Sequence, residues 1–359
     1  MLVRRLSFKN YRNLSAGEIT AHSGINVIYG DNAHGKTNLL EAIWMFSGAQ
    51  SFRGAKDAEC IRYGEKQANL YLDFCAEGRE QNAGITFAAR RSATLNGVNL
   101  SSGAELAGVF RAVVFSPAHL SLIKDGPAER RRFIDIAIGQ LWPKYIALLR
   151  RYSRAMQQRN SLLKDARFHT QLFDMLEVYD AELAKLGAHI AKYRARFTDR
   201  LTGAAADIYD GISGGKESLE VKYICTGGYS ADEMMDALSG ARNADLESGH
   251  TTVGPHRDDL NVLINNKSAR SFGSQGQQRS SVIALKMSEA QVIYDITNER
   301  PVILLDDVMS ELDESRQDYI LNHISDRQVF ITCCDKRTVD IFSGGALFNV
   351  RDGAVVREE

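Results

Sequence analysis

The sequence predicts an α/β protein: a mixed-sheet lobe assembled from both ends of the chain, with a mostly helical lobe inserted between them. Three observations predict it. An apolar strand-type run, Gly24-Ile-Asn-Val-Ile-Tyr29, passes straight into a glycine-rich turn and then a helix. Residues 67–100 alternate in the manner of an antiparallel meander, with Asn96-Gly97 as a tight turn between Thr94-Leu95 and Val98. From about Ala128 to Ile212 strand signals give way to helical spacing, and strand–helix alternation resumes from about Thr252. The expected division is residues 1–125 with 250–359 for the α/β lobe and 126–249 for the insertion.

The elements follow in order. Leu2 to Phe8 reads as a strand with apolar residues at 2, 6 and 8, and a helix is expected over Asn38 to Ser47. Ala112-Val-Val-Phe115 is a buried-type strand closed by Ser116-Pro117. Within the insertion, Phe133, Ile136, Leu141 and then Ile146, Leu149, Tyr152 keep helical spacing, and Pro143 should break that run because it lacks an amide donor. A strand over Ser218–Cys225 and a short helix near Ala231–Leu238 come next. Leu260–Ile264 with the Asn265-Asn266 turn precedes a long helix from about Gln277 to Thr297. The strand Val302–Leu305, a helix near Glu314–Ile324, the strand Gln328–Thr332 and a hairpin at Asp352-Gly353 complete the chain.

Composition bounds the class. Of 359 residues, 44% are hydrophobic and 25% charged, as in a soluble protein with a substantial core. The net charge of -1 means that nucleic-acid binding would need basic residues segregated onto one surface. Five cysteines without a CxxC pair or zinc-ligand spacing suggest free thiols in a reducing compartment. The N-terminus lacks the apolar core of a secretory signal. No apolar run approaches the roughly 20 residues needed to cross a bilayer. The expectation is a cytoplasmic protein with no membrane partner.

Gly30-Asp31-Asn32-Ala33-His34-Gly35-Lys36-Thr37 matches G-x-x-x-x-G-K-[ST] between a strand and a helix, followed by Asn38. The glycines let successive amides point at phosphate oxygens, and the helix adds its positive dipole end. Lys36 should reach the β- and γ-phosphates of ATP, and the Thr37 hydroxyl should ligate Mg2+. Far along the chain, Val302-Ile-Leu-Leu-Asp306-Asp307 is an apolar strand ending in two carboxylates. Asp306 suits the Walker B role of holding Mg2+ through water, which leaves Asp307 to orient or deprotonate the attacking water.

Phe272-Gly-Ser274-Gln-Gly276-Gln277-Gln-Arg279 resembles the ABC signature, whose core is serine, glycine and glutamine at a helix start, although Gln275 stands where many members carry glycine. A serine hydroxyl at a helix N-terminus makes an anion site, and in ABC proteins that site caps the γ-phosphate bound to a second subunit. Ser310-Glu-Leu-Asp313 resembles the D-loop of the same interface. The fold class is therefore an ABC-type P-loop ATPase head, a mixed sheet with an antiparallel β meander, plus an inserted helical lobe.

Within that class the chain resembles the RecF family. The resemblance rests on Phe8-Lys-Asn-Tyr-Arg-Asn-Leu14 before the P-loop, on Gly126-Pro-Ala-Glu-Arg130-Arg131-Arg132-Phe-Ile-Asp135, and on Gly254-Pro-His-Arg-Asp-Asp-Leu260. The insertion is compact and lacks the long heptad repeats of SMC-type proteins. Membership would imply an ATP-dependent homodimer that binds gapped, single-stranded or junction DNA. It would also imply partnership with RecR and RecO in loading RecA, with weak, DNA-stimulated ATP hydrolysis as a reset. Three departures from the general ABC pattern stand out: no glutamine between Phe110 and Ile123 for a Q-loop, Cys333-Cys334-Asp335 in place of a switch histidine, and Asp307 in place of a glutamate. The shorter Asp307 side chain predicts slow, switch-like hydrolysis.

DNA would be met by basic residues. Arg130, Arg131, Arg132, Lys144, Arg150, Arg151, Arg154, Arg159, Lys164 and Arg167 are offset between 129 and 167 only by Glu129, Asp135 and Asp165. Arg53, with Lys56 and Arg62, follows the P-loop helix. A solvated helix face with local partners explains the same cluster equally well. His250 and His256 fit no metallohydrolase spacing and suggest a structural role linking the two lobes. The competing functions are the motor subunit of an ABC transporter and a nuclease fused to an ABC head.

Overall fold

The computed structural model describes residues 1–166, 171, 173–334 and 344–358. Arg167 and Asp335 lie outside the described residues. The chain forms two compact units, Met1–Leu120 with Ile208–Lys216 and Val282–Glu359, and Ser121–Asp207 with Glu217–Ser281. Residues 250–281, read above with the α/β lobe, belong to the second unit.

The first unit carries two six-stranded sheets. One is the antiparallel meander, in the order β2-β1-β4-β5-β6-β7, built from β1 (Leu2–Tyr11), β2 (Leu14–Thr20), β4 (Ala68–Ala76), β5 (Arg79–Phe87), β6 (Ser92–Leu95) and β7 (Val98–Leu100). In β1 the inward residues are Val3, Leu6, Phe8 and Tyr11, with Leu2 only half-buried. A register shift between Val3 and Arg5 resets the two-residue alternation, so Val3, and not Leu2, takes the core position.

The other sheet, in the order β15-β14-β3-β13-β12-β8, is parallel except at β14/β15. Its strands are β3 (Ile25–Tyr29), β8 (Ala112–Phe115), β12 (Val302–Asp306), β13 (Val329–Cys333) and the hairpin β14 (Ala346–Arg351) and β15 (Ala354–Glu358). Every residue of β8, β12 and β13 is buried, which is why these strands read as unbroken apolar runs and not as alternation. Helices α1 (Lys36–Trp44) and α10 (Glu314–Ile324) accompany them. The C-terminal ends of β3, β12 and β13 adjoin, with Asp306 opposite Thr332 and Thr332 opposite Ile28. Ligand sites of open α/β sheets form at such an edge.

The second unit contains α2 (Ser121–Lys124), α3 (Pro127–Leu141), α4 (Pro143–Ala166), most of α5 (Phe173–Ser213), α6 (Ala231–Gly240), α7 (Arg242–Ser248) and α8 (Ala269–Phe272). A three-stranded antiparallel sheet joins them, with β10 (Asp259–Ile264) between β9 (Leu219–Ile224) and β11 (Lys267–Ser268). Pro143 acts as predicted: α3 stops at Leu141, and the proline begins α4, where its missing N–H costs nothing.

This unit is tied by buried charge. Arg159, 0% exposed, donates to Asp180 at 2.5 Å, Asp245 at 2.6 Å and Thr251 at 2.9 Å. Asp245 sits on α7, a helix that sequence periodicity did not reveal, and also accepts from Thr252 N–H and Oγ1. Arg159 therefore does not belong to a DNA-facing surface, and its place in the basic cluster is corrected. Replacing it with Met should leave the buried Asp245 carboxylate without its ion pair, and Asp180 with Arg242 alone, and cost about 3–5 kcal/mol, measured by denaturant unfolding of the purified variant.

The Gly254–Leu260 motif forms a second knot. Gly254 has φ 115°, and a Cβ there would stand 2.6 Å from the Tyr152 hydroxyl. That hydroxyl lies 2.8 Å from His256 Nδ1, while His256 Nε2 meets Thr251 O at 2.8 Å. A neutral ring that donates from Nε2 to the carbonyl can accept from Tyr152 at Nδ1, which satisfies both contacts. Asp258 accepts from Thr226 and Tyr223, and Arg194 holds Asp135 through a bidentate pair at 2.9 Å. His256 meets Tyr152 and Thr251, both of the second unit, and so ties α4 to the Gly254–Leu260 segment inside that unit. Burial pushes the His256 pKa down. Neutral His256 thus favours the fold above its unfolded pKa, roughly 6.5, and that stability should be lost as pH falls through the lower folded value. Thermal unfolding between neutral and mildly acid pH should show the decline, and His256→Gln should flatten it.

Candidate nucleotide site and signature helix

β3 ends in the P-loop, whose backbone only glycine can supply at two points. Gly30 (φ 145°) would place a Cβ 2.3 Å from Val350 O, and Gly35 (φ 117°) would place one 2.6 Å from Asn13 Oδ1. Ala33 also takes a left-handed conformation. The loop is braced from outside itself. Asn13 donates to Ala33 O at 3.0 Å, Asn38 donates to Asn13 at 2.7 Å, and the β14–β15 turn meets His34 through Gly353 N–H at 3.2 Å. Asp31 and Asn32 are exposed. Lys36 is buried and donates to Gly30 O at 2.7 Å and Asp31 O at 3.0 Å, with Cys334 Sγ at 3.3 Å.

Across the sheet edge, Thr37 Oγ1 donates to Asp306 Oδ1 at 2.7 Å, although the two lie 269 residues apart in sequence. Thr332 Oγ1 reaches the same oxygen at 3.1 Å and also accepts from Asp307 N–H at 2.9 Å. Burial raises the Asp306 pKa, against the hydrogen bonds from Thr37 and Thr332 and the charge of Arg53. Asp307 is half-buried in a left-handed conformation (φ 50°), with the Ser310 hydroxyl 2.9 Å from its carbonyl and 3.0 Å from its carboxylate. Asp313 caps α10, accepting from Arg316 N–H at 3.0 Å. Thr37 and Asp306 together offer hard oxygens that fit Mg2+, an ion held by one or two protein ligands plus substrate phosphates. Among the described residues no cluster of three or more His, Cys, Asp or Glu side chains could hold a metal alone.

A feature that sequence reasoning missed lies beside the P-loop. A cleft of about 620 Å³ is lined by, among others, Arg12, His34, Asn38, Arg53, Arg62 and Tyr63. Arg53 is exposed and donates to Asn38 Oδ1 at 2.8 Å. Arg12 could have been suspected from its place in the Phe8–Leu14 segment, but nothing local indicated that it faces this cleft.

The signature residues belong to the second unit. α9 (Gln275–Thr297) begins two residues earlier than periodicity suggested. Ser274 Oγ accepts from Gln277 N–H at 3.2 Å, and Gln277 Oε1 accepts from Ser274 N–H at 2.8 Å, a reciprocal capping box. Gln277 Nε2 donates to Glu217 at 2.6 Å. Ser274 is exposed, Gly276 is half-buried, and Phe272 is 74% exposed.

The basic residues divide. Arg130 is 6% exposed, paired with Asp259 at 2.7 and 2.9 Å and donating to Leu122 O and Asp125 O. Arg131 donates to Asp258 O at 2.7 Å, and burial lowers its pKa. Arg132 is half-buried. The expectation that Arg130 meets DNA is corrected, because its guanidinium donors are spent inside the unit, whereas the half-buried Arg131 has one donor engaged by Asp258 O. Lys144, Arg150, Arg151, Arg154 and Lys164 on α4 remain exposed. No helix among the described residues is long and apolar enough to cross a membrane.

Comparison with known proteins accords with this geometry. The family model described as the RecF/RecN/SMC N terminal domain matches residues 2–351. A DNA replication and repair protein RecF of Agathobacter rectalis is 40% identical over 363 residues, covering 99% of each chain. One from Lachnospira eligens is 36% identical over 364 residues, covering 100% of both. A solved structure of the recombination mediator protein RecF with ATP, in the RecFOR pathway, superposes with a TM-score of 0.92 at 34% identity, over 100% of this chain and 98% of that one. The Smc head domain of Pyrococcus furiosus, 17% identical over 100% of this chain and 96% of that one, shares the fold at a TM-score of 0.58. The fold is thus an ABC-type ATPase head with an inserted helical lobe, and full-length likeness to repair proteins leaves no support for the transporter alternative. The chain belongs to the RecF family of DNA replication and repair proteins.

Proposed function

We propose that this protein is an ATP-dependent switch in recombinational repair, which dimerises around nucleotide, holds gapped, single-stranded or junction DNA and helps to load RecA. The observation that carries the nucleotide part is the 2.7 Å contact between Thr37 and Asp306, which closes a phosphate loop against a buried carboxylate. ATP seen with the RecF relative supports the same ligand here. Gly30 to Asn38 would cradle the phosphates, and Lys36, already turned onto the loop's own carbonyls, would neutralise them. The adjoining cleft, at about 620 Å³, has room for base and ribose, with Arg12 at its wall.

Mg2+ bound by Thr37 and Asp306 would neutralise phosphate charge as it builds up during transfer. Asp307, held by Ser310, would position the attacking water and accept its proton. Its short side chain supports slow, weak ATPase activity, and likeness to DNA replication and repair proteins supports stimulation of that activity by DNA. Because burial raises the Asp306 pKa, the carboxylate protonates at a higher pH than an ordinary one and then cannot ligate a cation. Mg2+-dependent ATP affinity should therefore weaken on acidification before a solvent-exposed carboxylate would titrate, as read by fluorescent-nucleotide titration.

Ser274, Gly276 and Gln277 would cap the γ-phosphate held by a second copy, with Asp313 at the same interface. The exposure of Ser274 at the head of a 23-residue helix supports this. Arg53, the half-buried Arg131 and Arg132, and the exposed arginines of α4 are the remaining candidates for phosphate contacts to DNA, giving salt-dependent and sequence-tolerant binding. The RecFOR pathway of the solved relative supports RecR and RecO as partners, in the cytoplasm. Asp307→Asn tests the reset: it should trap ATP-dependent dimers on DNA in sedimentation. Dimers that dissociate as fast as wild type would contradict the assignment.

A further inference from the structure

Glu41 is a carboxylate on α1 with no exposure to solvent, and no part of the ATP site proposed above uses it. Arg12 grips it with two parallel bonds, Nε to Oε2 at 2.8 Å and a terminal nitrogen to Oε1 at 2.9 Å. Ser51 Oγ donates to the same Oε1. Each of these partners reaches further. Arg12 also donates to Glu59 O at 3.0 Å, and Ser51 Oγ accepts from Arg53 N–H at 3.1 Å. One buried acid thus ties three segments together: the β1–β2 turn, where Arg12 has the left-handed φ of 55°, the P-loop helix, and the stretch from Ser51 to Glu59.

All three segments line the cleft beside the P-loop, which includes Arg12, Asn38, Arg53, Glu59 and Tyr63, whereas Glu41 does not reach it. A buried charge is tolerated only when paired and fully bonded, and the planar guanidinium is held in one orientation by the bidentate pair. We propose that Glu41 is a positioning residue for the base-and-ribose end of the nucleotide site. It fixes Arg12 and the 51–59 stretch at the spacing that the cleft requires. The triphosphate end depends on other contacts, those of Lys36, Thr37, Asp306 and the asparagine brace at Asn13. This inference rests on the nucleotide reading and adds to it a division of labour within the site.

The division gives a test that a general folding defect would not pass. Glu41→Gln keeps the shape and an acceptor for Ser51 but removes the charge that holds Arg12. Affinity for ATP should fall about tenfold or more, the scale of a lost charge-assisted pair, while affinity for inorganic tripolyphosphate, which needs only the P-loop, should not change. KM for ATP should rise with kcat unaltered. Arg12→Gln should reproduce this pattern, and the double variant should be no worse than either single one, because Glu41 acts through Arg12. Ser51→Ala, which leaves the ion pair intact, supplies a milder variant should Glu41→Gln fold poorly, and it should show a smaller loss in the same direction. Equal losses for ATP and tripolyphosphate, or no loss for either, would overturn the proposal. Failure of the nucleotide reading itself looks different: wild type would bind neither ligand, and Lys36→Met would match it.

Discussion

Lys36→Met should reduce ATP affinity by about a hundredfold or more, since hydrogen bonds to a charged partner contribute roughly 1.5–3 kcal/mol each and a factor of ten is 1.4 kcal/mol. The ammonium donates to Gly30 O and Asp31 O, within a loop whose amides supply no net charge. Methionine fills the same space without offering a donor or a charge. The variant should fold normally, because the contacts it loses are to loop carbonyls that solvent can satisfy. Titration with a fluorescent ATP analogue, alongside thermal unfolding, separates the two effects. Retained affinity would mean that phosphate is not held by this loop.

Ser274→Arg should have the second large effect, of a different kind. Ser274 is exposed and its hydroxyl bonds only within its own helix start, so the monomer loses little beyond a cap, about 1 kcal/mol. Nucleotide binding by the monomer should therefore persist. The ATP-induced dimer should vanish, because a bulky side chain would stand where the γ-phosphate of the other copy must approach. ATP stabilises a dimer only through its greater affinity for the paired state. A variant that binds nucleotide but cannot pair uncouples those two quantities.

Legibility of the fold and site from sequence followed the range of the interactions. The P-loop was readable because its chemistry is local: glycines at fixed spacing after a strand and before a helix. Asp306 was readable because β12 is apolar to its last residue, and Thr37 meets it across the sheet edge. The basic cluster misled for the opposite reason. Counting acids between 129 and 167 could not find Asp180, Asp245 or Asp259, which neutralise Arg159 and Arg130 from 21, 86 and 129 residues away. Arg12 and Glu41 escaped notice likewise, since the β1–β2 turn and α1 come together only in the folded sheet. In β1, Val3 displaced Leu2 from the core through a register shift that no periodicity encodes. Helix α7 was missed because its one fully buried residue, Asp245, is polar and is held by a buried ion pair instead of an apolar face.

The central claim is that one nucleotide is enclosed by the P-loop of one copy and Ser274 of another, and mixing two crippled variants tests it most directly. Lys36→Met retains a sound signature helix, and Ser274→Arg retains a sound P-loop. Sedimentation velocity with ATP should find each alone monomeric, while their mixture, which assembles one intact composite site, should recover an ATP-dependent dimer. A mixture that stays monomeric, or either variant dimerising alone as wild type does, would contradict the shared site.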